Sequence, residues 1–171
     1  MKDILKYSYE LFSNKLKYIE SKFTIIITLP TALTVFSASY LNNSPPLITG
    51  LSAISIIFSL ISVVYGFLAV LLRKNKTKEY QKLCEKIDLF YYKDVSKINE
   101  KNYIEEIIKN YPDLKNYKPD NYDLNLSKQI INTSQEIDQK NIYFNFSIIF
   151  LLISLVTESL SIFLLGMGIN V

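Results

Sequence analysis

Residues 23–72 read FTIIITLPTALTVFSASYLNNSPPLITGLSAISIIFSLISVVYGFLAVLL and contain no Asp, Glu, Lys or Arg. A run of that length holds two membrane spans of about 20 residues each with a turn between them. Asn42-Asn43-Ser44-Pro45-Pro46 supplies the turn, because paired prolines after short polar residues favour a break over a continuing helix. The first span is read as Phe23 to Leu41 and the second as Leu47 to Leu72, a helical hairpin. After Lys140 the chain is apolar again, with a third span from Ile142 to Met167 in which the one ionisable residue is Glu158. The expected fold class is an all-α membrane protein with three transmembrane helices.

The charges set the expected sidedness. All 19 Lys and Arg lie before span one or between spans two and three, and Arg73, Lys74, Lys76 and Lys78 crowd the exit of span two. The positive-inside rule then puts the N-terminus in the cytoplasm and the C-terminus outside. Four regions follow: a cytoplasmic amphipathic N-terminal helix at 1–22, the transmembrane hairpin at 23–72, a small helical cytoplasmic module at 73–141, and a third transmembrane helix with a short external tail at 142–171. Span one is read as an uncleaved anchor, since the residues before it carry charges and lack the apolar core of a secretory signal.

Composition excludes several chemistries. The chain has no histidine and a single cysteine, Cys84, so no intrachain disulfide is possible and neither a transition-metal site nor a cofactor is expected. Cys-His and Ser-His nucleophiles are ruled out, and no carboxylate pair has a spacing that indicates acid and base work. Only 4 glycines are present, and no phosphate-cradling glycine loop exists. The chain is read as non-enzymatic.

Polar residues inside the spans are the first candidates for function, because ionisable groups in hydrocarbon cost on the order of 3 kcal/mol or more unless paired or wet. In span two, Ser52, Ser55, Ser59, Ser62 and Gly66 recur at steps of three and four and share an arc of roughly 80°. Such a small-residue face packs against another helix, in the same chain or in a neighbouring subunit. In span three, Ser147, Ser154, Glu158 and Ser161 form a stripe about 60° wide. Two readings of Glu158 stand side by side: a hydrogen bond to a hydroxyl of a neighbouring helix, with Thr28, Thr31 and Thr34 of span one as candidates, or a pore-lining carboxylate. Three helices cannot enclose a water path, so a pore requires a homo-oligomer, read as a tetramer. Pro30, mid-span, is a candidate hinge.

The 73–141 module shows three apolar helical stripes: Tyr80, Leu83, Ile87, Phe90 and Tyr91; then Tyr103, Ile104, Ile107, Ile108 and Tyr111, with Asn99 as cap and Pro112 as stop; then Leu126, Ile130, Thr133 and Ile137, running on into span three. Residues 111–122 between the last two stripes read as a loop that interleaves tyrosine and lysine. Arg73, Lys74, Lys115, Tyr117, Lys118 and Lys128 are the candidate ligand-binding residues, able to stack a base and neutralise phosphate. A solvated loop is the alternative for 111–122, and lipid headgroups are the alternative partner for the basic exit of span two.

Two spans, a helical segment and a terminal span, with Leu89-Phe90-Tyr91-Tyr92-Lys93-Asp94-Val95, Tyr103-Ile104, Leu126, Gln129-Ile130, Ile137 and Lys140 at family-like spacing, resemble the small transmembrane effectors of bacterial Pycsar antiphage defence. Related membrane effectors serve other nucleotidyltransferase systems, such as Hailong. The resemblance implies an inner-membrane protein that answers a nucleotide second messenger or short oligonucleotide made by a partner cyclase or nucleotidyltransferase. It then depolarises the membrane and arrests growth. The expected function is thus a nucleotide-gated oligomeric channel or pore-forming effector. The alternative is a membrane-anchored adaptor that recruits a protein partner.

Overall fold

The structure is a computed structural model that describes residues 1–41, 44–71 and 87–167. Among these residues 85% are helical and none is in a strand, so the fold is all-α. Three helices are long and apolar enough to cross a membrane: α1 (Lys2–Ala38), α2 (Pro46–Leu71) and α5 (Asn121–Gly166). Between α2 and α5 lie α3 (Tyr92–Val95), α4 (Glu100–Asn110) and a 3-10 turn at Pro112–Leu114. The chain divides into two compact units, one formed by Met1–Ile19 with Leu72–Lys140 and the other by Glu20–Leu71 with Asn141–Val171.

Glu20–Leu71 and Asn141–Val171 form the apolar unit. On α2 the buried positions are Ile48, Ser52, Ser55, Ser59, Ser62, Gly66 and Ala69. On α5 they are Ser147, Leu151, Ser154, Glu158 and Ser161, and on α1 Phe23, Ile26, Pro30 and Ser37. The α2 and α5 sets advance by alternating steps of three and four and the α1 set by three, four and seven, the spacing that keeps one seam of a helix against its neighbours. The outward faces carry Ile25, Val35, Ile57, Val64, Val156 and Phe163, all exposed, a surface suited to lipid rather than water. Tyr65 stacks on Phe146 and Phe150 with ring centroids 5.6 and 5.4 Å apart, and Phe23 meets Phe144 edge-on at 5.7 Å.

The hairpin ends differ slightly from the expected spans. The α-helical part of the first stops at Ala38, and Ser39, Tyr40 and Leu41 close it with i→i+3 bonds to Phe36, Ser37 and Ala38, the tightening usual at helix ends. Pro46 opens α2 at its first position, where its missing N–H is no loss. Pro30 sits buried inside an unbroken α1. Asn42 and Asn43 lie outside the described residues.

The polar unit packs the first half of α1 with α3, α4 and the first half of α5. Its core contains Leu5, Phe12, Leu89, Val95, Tyr103, Ile107, Ile130 and Ile137. α4 starts where expected, with the Asn99 side chain accepting from the Asn102 N–H at 2.8 Å, and it ends before Pro112. α5 runs from the third stripe through the third span without interruption. The first stripe differs. Tyr80 and Leu83 lie outside the described residues, and Ile87 to Tyr91 are not helical but turn, with the Asp88 carboxylate accepting from the Phe90 N–H at 2.9 Å. An aspartate that captures a nearby backbone N–H offers the chain an alternative to the helix, and here it prevails. Phe90 then meets Tyr7 edge-on at 5.7 Å.

Candidate functional site

The α2 and α5 seams are joined by hydroxyls. The Ser62 and Ser147 hydroxyls lie 3.0 Å apart, and each also reaches the other's backbone carbonyl, at 2.8 and 2.7 Å. Seven residues further along α5, Ser154 meets Ser55 at 3.0 Å and Ser59 at 2.6 Å, and it donates to the Ser55 carbonyl at 3.0 Å. The small side chain makes this approach possible, since a serine seam lets backbones close to within hydroxyl–carbonyl range. Gly66 extends it: a Cβ there would lie 3.2 Å from Ile27 Cγ1.

Glu158 lies one turn beyond Ser154 on the same seam and is 2% exposed. Ser37 of α1 donates its hydroxyl to Glu158 Oε2 at 2.6 Å and stands 3.3 Å from the Ser55 hydroxyl. One polar layer therefore links all three helices of this unit. Thr28, Thr31 and Thr34 take no part, because each turns its hydroxyl back on the carbonyl four residues earlier in α1. Their hydroxyls are satisfied locally, as is common for threonine in membrane helices, whereas Ser37 sits on the α1 seam with Phe23, Ile26 and Pro30. That seam spacing was the signal for Ser37 in the sequence. Ser161 is buried and donates to the Thr157 carbonyl at 3.1 Å.

In the polar unit, the start of α5 is locked by reciprocal bonds. Asp120 Oδ1 accepts from the Asp123 N–H at 2.8 Å, and Asp123 Oδ2 accepts from the Asp120 N–H at 3.1 Å, the geometry of a capping box. Tyr117 adds its hydroxyl to Asp123 Oδ2 at 2.7 Å, and Lys2 pairs with Asp120 at 3.0 Å while lying 5.5 Å from the centre of the Tyr122 ring. The Asp123 N–H, then Lys2, hold the Asp120 carboxyl below its usual range; the Asp120 carboxylate raises the Lys2 amine, and the bond to Asp123 raises the Tyr117 phenol. The Asp-x-x-Asp spacing carried this cap in the sequence. Of the ligand candidates, Tyr117 is thus engaged in the cap, Lys115, Lys118 and Lys128 are exposed, and Arg73 and Lys74 lie outside the described residues. A separate groove of about 310 Å³ lies along α1 and α5, lined by Lys6, Tyr9, Glu10, Tyr122, Asn125, Leu126 and Gln129.

The family model of the Pycsar effector protein domain matches residues 4–167, which takes in both units and every residue of the serine layer. The chain belongs to the Pycsar effector family. No curated protein and no solved structure matches it. As a Pycsar effector it is a multi-pass transmembrane protein of antiphage defence, and its domain is an effector domain rather than a known catalytic one. Pycsar effectors act at a membrane on a nucleotide signal generated by a cyclase.

Proposed function

We propose that this Pycsar effector is an oligomeric channel, held closed until a nucleotide arrives, whose conducting path is built from the α5 stripe Ser147, Ser154, Glu158 and Ser161. The observation that carries this reading is a carboxylate inside a membrane-spanning unit, set in a layer of serine hydroxyls with no Lys or Arg in either apolar segment. Anchoring needs no such group, and its cost in hydrocarbon favours a functional role. In the closed state Ser37 and the α2 serines cover the stripe. Assembly of several copies, a tetramer in our reading, turns it toward a shared axis, where one acid per copy becomes a ring that favours cations. Pro30 lets α1 bend as this happens.

By the positive-inside rule the polar unit faces the cytoplasm of a cell whose inner membrane is the target. The groove beside Tyr9 and Tyr122 offers aromatic faces for a base, the Asn125 and Gln129 amides for its edge, and Lys6 for a phosphate. Lys115, Lys118 and Lys128, with Arg73 and Lys74, add positive charge for the cyclase or nucleotidyltransferase product. The ligand gates by binding open and closed states with different affinity.

Ion flux through liposomes holding the full-length protein tests this, with wild type and Glu158→Gln compared across cyclic mononucleotides and short oligonucleotides. The expected result is nucleotide-dependent flux whose ion selectivity changes in Glu158→Gln. Liposomes tight under every condition would favour the adaptor reading, which the Ser37–Glu158 bond also suits, since an adaptor needs that pair only to hold its helices together. A detergent-solubilised monomer that binds a second protein would point the same way.

A further inference from the structure

Four polar side chains meet in the groove of about 310 Å³ in the polar unit, Lys6 and Glu10 from α1 and Asn125 and Gln129 from α5. Among the described residues none of the four has a hydrogen-bond or ion-pair partner. Lys6 and Glu10 stand one helical turn apart, and lysine ahead of glutamate is the weaker order for a pair at that spacing, which leaves both heads to the groove. A cavity of this size is at the small end of the range that holds a ligand. Its floor is the buried Leu126, and the half-exposed rings of Tyr9 and Tyr122 stand beside it.

The groove has two unlike ends. Lys2, one turn before Lys6, pairs with Asp120 at 3.0 Å and lies 5.5 Å from the centre of the Tyr122 ring. α1 and α5 therefore run in the same direction along the groove, with Lys2, Lys6 and Tyr122 toward one end and Glu10 and Gln129 toward the other. Lys2 to Glu10 covers about 12 Å of helix axis. A phosphate is attracted to the lysine end and kept from the Glu10 end by like charge, so a base stacked on the tyrosines has its far edge toward Glu10. A carboxylate only accepts hydrogen bonds, and the edge that meets it must donate. We propose that Glu10 sets the base preference of this groove, which takes mononucleotides whose base carries an exocyclic amino group, as cytosine and adenine do, over those with a carbonyl oxygen in the same place, uracil and hypoxanthine. The amino group donates to Glu10 as cytosine N4 donates to carboxylates elsewhere, whereas a carbonyl oxygen sets lone pair against lone pair. Asn125 and Gln129 each carry a donor and an acceptor and serve either kind of base, so the choice falls to Glu10.

The preference rests on the groove being the nucleotide site, and one measurement separates the two. Equilibrium dialysis of the full-length protein in detergent is run against the 3′,5′-cyclic monophosphates of cytidine, uridine, adenosine and inosine at equal ionic strength. The expected result is about tenfold tighter binding of cytidine over uridine and of adenosine over inosine. Glu10→Gln should bring both ratios close to one, because an amide donates as well as accepts; Glu10 is exposed and unpartnered among the described residues, so the fold does not depend on it. Lys6→Met should weaken all four alike and keep the ratios, since a phosphate carries no base identity. Equal binding within each pair, or ratios that Glu10→Gln leaves unchanged, overturns the role of Glu10; if Lys6→Met still weakens all four, the groove remains the nucleotide site. Affinities that neither variant alters, or no binding of any of the four, remove the groove as a mononucleotide site and the preference with it.

Discussion

The Ser37 hydroxyl donates to Glu158 Oε2 at 2.6 Å across 121 residues of sequence. Ser37→Ala leaves the buried carboxyl without its protein donor, and an orphaned buried acceptor costs about 1–3 kcal/mol. Ser37→Ala is therefore expected to unfold earlier in a detergent melt, and adding Glu158→Met should recover part of the loss, because removing both partners removes the orphan.

Gly66 separates two outcomes by size. Its Cβ position lies 3.2 Å from Ile27 Cγ1 and 3.4 Å from Ile26 Cγ2. Gly66→Ala gains about 1 kcal/mol of helix propensity against this mild crowding and is expected to be near neutral. Gly66→Leu must push α1 and α2 apart and should lose about 1–3 kcal/mol or more. Chemical denaturation of both variants in detergent checks the contrast.

Burial of Tyr103 pushes its phenol up to about 12 from 10.0, and its hydroxyl donates to the Leu89 carbonyl at 3.2 Å. The folded value exceeds the unfolded one, so this contribution is complete below pH 10.0 and is lost as pH rises toward about 12. Tyr103→Phe is expected to be less stable near neutrality by about 1 kcal/mol and to show a shallower fall in stability across the alkaline window. Denaturation midpoints against pH measure both.

The cap of α5 is a coupled unit. Tyr117→Phe removes one bond to Asp123 and Asp123→Ala removes the acceptor for both Tyr117 and Asp120, so their effects should fall short of additive in a double-mutant cycle. Asp120 titrates below its ordinary 3.8, so its contribution is present above that pH and is lost as pH falls through the lowered value. Lys2→Met should narrow that acid dependence without abolishing it, because the Asp123 N–H acts on Asp120 before Lys2 does.

The spans and both serine stripes were legible because lipid forbids scattered charge and because seam positions repeat every seven residues. The capping of α4 by Asn99 was legible for a different, local reason: a short polar side chain directly ahead of a helical apolar spacing accepts an unpaired N–H of the first turn. The partner of Glu158 was not: Thr28, Thr31 and Thr34 are as polar as Ser37, and only the phase of α1, together with each threonine's bond to its own helix, separates them. The turn at Ile87 to Tyr91 was hidden by an apolar spacing that also fits a helix, since the deciding group is a single carboxylate, Asp88, competing for one backbone N–H. Tyr117 read as a free stacking surface because the sequence gives no sign that Asp123, six residues on, is buried beneath its hydroxyl.

Ribosomes make this chain from the hairpin toward α5, and the serine seam gives that order a use. Ser37, Ser52, Ser55 and Ser59 are already synthesised when Glu158 is still untranslated. The acid therefore follows, in the order of synthesis, the hydroxyls that surround it in the folded layer. Nascent chains shorter than the third span carry the serine half of the layer and none of its acid, and because residues 23–72 hold no Asp or Glu, a truncated product has no carboxyl group in its hairpin.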